Sequence, residues 1–201
     1  MTEIDIPKSD SLRKACDAFL ESLHAWVRAC MDRYTDAIPT DGHDQLTYTT
    51  GWEPCLANNP APEIVGFLQQ RQQAVAEHFE RKDLWRHGYW RRQEAHHGTE
   101  HFELFLGFMH RVAPNAETRR HLLDAAEHIT NRVPEIPDWF DWQTGLFRSL
   151  YLGTGQVDET PEAAINVPDH FRFVNLCLLA RQMSDDPLYS ELARRYAARW
   201  A

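Results

Sequence analysis

The segment Glu94 to Glu103, EAHHGTEHFE, concentrates carboxylates and imidazoles in a short stretch. On a helix, at about 100° per residue, Glu94, His97 and His101 are spaced i, i+3, i+7 and share one face. Trp90, Phe105 and Phe108 lie on that face too, so it is expected to point inward. His96, Glu100 and Glu103 fall on the opposite side, toward water. A carboxylate and two imidazoles on a core-facing stripe are expensive to bury unless paired.

Three kinds of chemistry compete for this stripe. In the structural one, Glu94 accepts a hydrogen bond from His97, and His101 bonds a carbonyl or a water. In the second, the stripe holds a divalent metal, zinc or iron, on His97, His101 and Glu94. His97-Gly98-Thr99-Glu100-His101 matches H-x-x-E-H, a zinc-peptidase signature. The mixed α/β context of those peptidases is missing, which discounts a protease. Glu-x-x-His also occurs twice, at Glu21 to His24 and Glu94 to His97, as in helical di-iron proteins. Glu21 and His24 would then serve a second ion, with Glu77 or Glu127 as further ligands. The order of motifs along the chain does not follow the ferritin-like order. In the third, no cofactor is needed. A buried Glu beside His has a shifted pKa and exchanges protons near neutral pH. Glu94 and His97 exchange the proton, His101 orients or polarises, and Tyr89 and Trp90 supply a stacking wall.

Residues 134–145, PEIPDWFDWQTG, add Asp138, Trp139, Asp141 and Trp142, a pattern suited to a sugar-binding rim. In that reading Trp139, Asp141 and Trp142 contact substrate. The structural alternative makes Asp141 the cap of a following helix, with Trp142 and Phe147 as packing anchors. Gly51-Trp52-Glu53-Pro54 reads as a loop anchor or a lid. Asp169 reads as a helix cap. Neither a glycine-rich phosphate loop nor a G-x-S-x-G elbow occurs.

The elements that must carry these residues are helical. Residues 1–9 read as a flexible tail and 10–201 as a single helical domain. A first helix runs from Ser9 or Asp10 to about Tyr34, with Leu12, Cys16, Phe19, Leu20, Leu23, Trp26, Val27 and Cys30 at helical spacing. Residues 35–60 form a long connection with an extended piece at Leu46 to Thr50. Helices are expected from Pro62, over 90–111, from Ala116 to Val133, over Trp142 to Leu152, and over 169–184 and 187–200. The fold class is all-α: six or seven helices in antiparallel hairpins, as a partial toroid or an irregular bundle.

The chain has 201 residues, enough to bury a sizeable core, and a net charge of −9. That bias disfavours a phosphate backbone, so nucleic acid is not an expected partner. Apolar runs are too short for a membrane span, and the opening MTEIDIPKSD does not read as a signal peptide. Cys16, Cys30, Cys55 and Cys177 form no C-x-x-C pair and are expected as reduced thiols, which points to the cytoplasm.

The closing segment, DHFRFVNLCLLARQMSDDPLYSELARRYAARW (Asp169 to Trp200), resembles one hairpin of the α/α-toroid enzymes, the six-hairpin glycosidase-like group. The resemblance rests on an apolar helix, a D-x-x-Y type turn at Ser184 to Tyr189 and a second helix ending in an aromatic. It implies an aromatic-lined cavity with acidic and histidine residues, acting on a sugar or polyol. A complete toroid needs more helices than this chain has, so a homo-oligomer or a partner chain would complete it. The combined expectation is an enzyme with a buried Glu/His site doing acid/base chemistry, as a hydrolase, lyase or isomerase, on a small polar molecule. The alternatives are a metal-dependent helical enzyme and a non-catalytic helical interaction module.

Overall fold

Apolar residues at helical spacing, punctuated by proline at helix starts, generate the main elements of the computed structural model. The structure describes residues 9–40, 46–57, 61–86, 89–90, 95–148 and 160–201. Helix α1 covers Ser9–Tyr34. A 3-10 turn at Thr47–Trp52 and a short α2 at Glu53–Leu56 follow, where an extended piece was expected. The long α3, Pro62–Arg81, begins with Pro62 in its first turn. It buries Ile64, Phe67, Leu68, Val75 and Phe79 along one stripe.

A minimal hairpin pairs β1 (Trp85–Arg86) with β2 (Tyr89–Trp90). The helix expected over 90–111 is present in three segments: α4 at Ala95–Glu100, a π-helical stretch at His101–Leu106, and α5 at Gly107–Val112. Helix α6, Ala116–Ile129, is capped by Asn115, whose side chain accepts from Thr118 N–H. It stops short of Val133 because Asn131 takes a left-handed conformation at φ 63°.

The helix expected over Trp142 to Leu152 is replaced, as far as the chain is described, by a hairpin of β3 (Phe140–Asp141) and β4 (Leu146–Phe147). Gly145 closes it at φ 74°, a conformation glycine adopts without strain. A short α7 (Pro161–Ala164) precedes α8 (Val167–Met183) and α9 (Pro187–Trp200). The Asp186 side chain caps α9 by accepting from Leu188 N–H at 3.0 Å, and Arg119 donates to the Met183 carbonyl at 2.7 Å, closing the end of α8. The short connection makes α8 and α9 an antiparallel hairpin, and α8 also lies against α6, α4 and the π-helical stretch.

The fold is all-α, with only two-residue strands among the described residues. One hydrophobic cluster runs from Val27 to Tyr196 and contains Trp52, Phe79, Phe102, Phe105, Phe108, Trp139, Phe147 and Phe173. No helix among the described residues is long and apolar enough to cross a membrane. The four cysteines are free thiols, with Cys55 and Cys177 buried.

Candidate functional site

Exposure in α4 changes along the helix axis rather than around it. His96 and His97 are exposed, and then Gly98, Thr99, Glu100, His101 and Phe102 are all buried. Helix α4 packs against α8, the π-helical stretch and β2. His97 and His101 therefore do not share one inward face, as the helical wheel expects. His97 meets His96 edge-on, with ring centroids 5.1 Å apart. His101 is enclosed by Phe79, Phe102 and Phe105, with centroids 5.6 to 5.8 Å away. Burial, with His121 nearby, pushes the pKa of His101 down to about 3, so the imidazole is neutral. Glu94 lies outside the described residues; Tyr89 and Trp90 stand in β2.

The acidic side of α4 is where the larger correction falls. Glu100 is buried and Glu103 partly covered, where solvated side chains are expected, because α8 lies against this stretch. His96 Nε2 lies 3.2 Å from Glu100 Oε1, and His96 Nδ1 lies 3.5 Å from Asp169 Oδ1. The Glu100 carboxylate is almost fully enclosed, at 3% exposure, whereas the His96 ring keeps 46%. Arg172 donates to Glu103 at 3.1 Å, and Asn175 donates to its other oxygen at 3.1 Å. Burial nonetheless raises the Glu103 pKa above the ordinary carboxylate value, with Asn175 and Arg172 opposing it. Asp169 is no N-cap; Asn166 holds that position, and its amide donates to Asp169 at 2.7 Å.

Chemically, this is an imidazole with a carboxylate at each nitrogen and one open edge. A ring open to solvent on one edge and backed by an enclosed carboxylate is an arrangement that can serve general acid/base chemistry. The helical wheel places His96 correctly at the surface, and it misses the cluster by assigning Glu100 and Glu103 to water as well. The signal available was the pairing of two i-spaced sets: His96, Glu100 and Glu103 on one helix, and Asp169, Arg172 and Asn175 on another.

Of the expected aromatic wall, Tyr89 and Trp90 belong to β2, which lies against α4, whereas Trp139 and Trp142 stand on other elements. Trp139 is only 1% exposed and sits against His128. Trp142 is half-buried, edge-on to Phe140 at 4.9 Å. Asp141 caps the turn of its hairpin by accepting from Gln143 and Thr144 N–H, and these bonds hold its pKa below the usual carboxylate range. With Thr144, Arg148 and Thr160 it lines a cavity of about 260 Å³. Glu21 is exposed and His24 half-buried on α1. Among the described residues, no group of three or more His, Cys, Asp and Glu is arranged to hold a metal ion. Compared with protein-family models, curated proteins and solved structures, the chain matches none.

Proposed function

We propose that the junction of α4 and α8 is an acid/base site acting on a small polar organic molecule, a sugar or related polyol, in a hydrolase, lyase or isomerase reaction. The observation that carries this reading is the His96 ring, held between Glu100 and Asp169 with an open edge. His96 exchanges the proton with substrate. Glu100 stabilises the charged ring from the enclosed side, and Asp169 orients it. Arg172 and Asn175 keep Glu103 in place beneath them. The substrate class comes from the toroid resemblance of Asp169 to Trp200, and the helix that carries it supplies Asp169 and Arg172.

The test is proton NMR of the protein incubated in D2O with a panel of aldoses, ketoses, uronic acids and disaccharides. Solvent exchange at carbon or new product is expected with at least one member. His96→Asn lowers that rate about 10²- to 10⁴-fold, the usual contribution of a positioned acid/base group. Because the His96 ring is half exposed, the same variant keeps the wild-type melting temperature. Glu100→Gln retains more rate and displaces the pH profile. A His96→Asn protein with full activity overturns the reading.

A further inference from the structure

The first half of α1 has no support from the rest of the described chain. Residues 10–19 are exposed on every side of the helix. An isolated helix this short is marginal in water, since nucleation is costly and tertiary packing normally supplies the stability. Yet this stretch carries a seam. Leu12, Cys16, Phe19, Leu23, Trp26 and Cys30 are separated by 4, 3, 4, 3 and 4 residues, the spacing of a coiled-coil stripe. Ala15, Leu20 and Ser22 flank it, and Arg13 is the one charge in the flanking positions of the overhang; Asp10, Lys14, Asp17 and Glu21 sit away from the seam.

We propose that this seam pairs with the same seam of a second copy of the chain, antiparallel, about a two-fold axis between Cys16 and Phe19. Cys16 then packs on the partner's Phe19, and Leu12 meets the part of the partner's Leu23 that its own core leaves uncovered. Antiparallel overlap sets the two bodies at opposite ends of the joint, and it opposes the helix dipoles. Leu12, Phe19 and Trp26 retain 55%, 59% and 44% of their surface. At roughly 100 Å² of residual area for each of these, and less for their neighbours, the seam offers on the order of 500 Å² per copy. Self-pairing doubles this to about 1,000 Å², the lower bound of a specific interface. A copy of α1 is also a partner whose apolar spacing matches by construction.

Analytical ultracentrifugation of the full chain tests this, beside Phe19→Glu and Leu12→Glu. The wild type is expected to sediment at twice the chain mass at micromolar concentration. Each variant places two charges in the joint and weakens association at least about a hundredfold. Neither position touches the core, so both variants keep the wild-type body and its melting transition. In a Cys30→Ser background, a short bis-maleimide is expected to link Cys16 to the partner's Cys16. A wild type that stays monomeric at 100 times that concentration overturns the proposal. So does a dimer that both variants leave intact.

Discussion

Glu103 shows how the site balances burial against charge. Its carboxylate accepts from Arg172 and Asn175, yet burial wins and its pKa is raised. Arg172 and Glu103 are partly covered, at 22% and 16% exposure, so this ion pair belongs between surface and core behaviour. Removing one partner should cost more than removing both, because a lone charge is left poorly solvated. Arg172→Met is expected to destabilise the protein by about 2 kcal/mol in urea unfolding. Adding Glu103→Gln should recover most of that loss, since the neutral amide still pairs with Asn175. Additive single effects would show that the two residues do not act as a pair. The contrast between His96 and His101 belongs to the same scale. Five positions apart, one ring is open to solvent between carboxylates and the other is neutral among phenyl rings.

Elements were legible where one physical signal dominated. Helix α1 ends at Tyr34, and the reason is a tertiary cap: Arg71 of α3 donates to the carbonyls of Tyr34, at 2.9 Å, of Thr35, at 2.9 Å, and of Ala37. The guanidinium is buried, and it sits at the negative end of the α1 dipole. Arg71→Met keeps the stem but loses these donors. It is expected to cost about 2–4 kcal/mol and to raise hydrogen exchange selectively from Cys30 to Ala37. Arg71→Lys, with no planar fork, recovers only part of this. Nothing in the local sequence marks Arg71 as a cap, because its partners are some 34 to 37 residues away. The long helices, by contrast, follow from apolar period and proline. The β3–β4 hairpin was misread because Trp142 and Phe147 fit a helical stripe as well as a strand; Gly145 at the end of a short polar loop was the better guide. The wheel over 90–109 is right for His101, Phe105 and Phe108, which are buried, and fails at His97 and Glu100. It assumes one buried face where residues 98–102 are all buried, and the π-helical stretch from His101 changes the phase of everything after it.

At the scale of the whole molecule, the interior stores a pH dependence. His101 and His121 have pKa values lowered to about 3 and about 4, chiefly by burial; Arg120 beside His121 adds to the effect. In the unfolded chain both titrate near 6.5. Between these limits the unfolded state binds more protons than the native state, so stability rises with pH there. The contribution is complete above pH 6.5 and is lost as the pH falls toward 4. The slope approaches about 1.4 kcal/mol per pH unit for each histidine. Glu103 acts in the opposite sense. Its raised pKa favours the folded state as it protonates, which softens the loss at the acid end. Urea unfolding at pH 7.5, 6.5, 5.5 and 4.5 is therefore expected to show a plateau and then a steep decline, before ordinary carboxylates protonate in bulk. His101→Phe, placed among Phe79, Phe102 and Phe105, should halve the slope and leave the plateau within about 1.5 kcal/mol of wild type, as a shape-compatible core exchange does. A stability that is flat from pH 7.5 to 4.5 would mean that the two imidazoles are not held neutral.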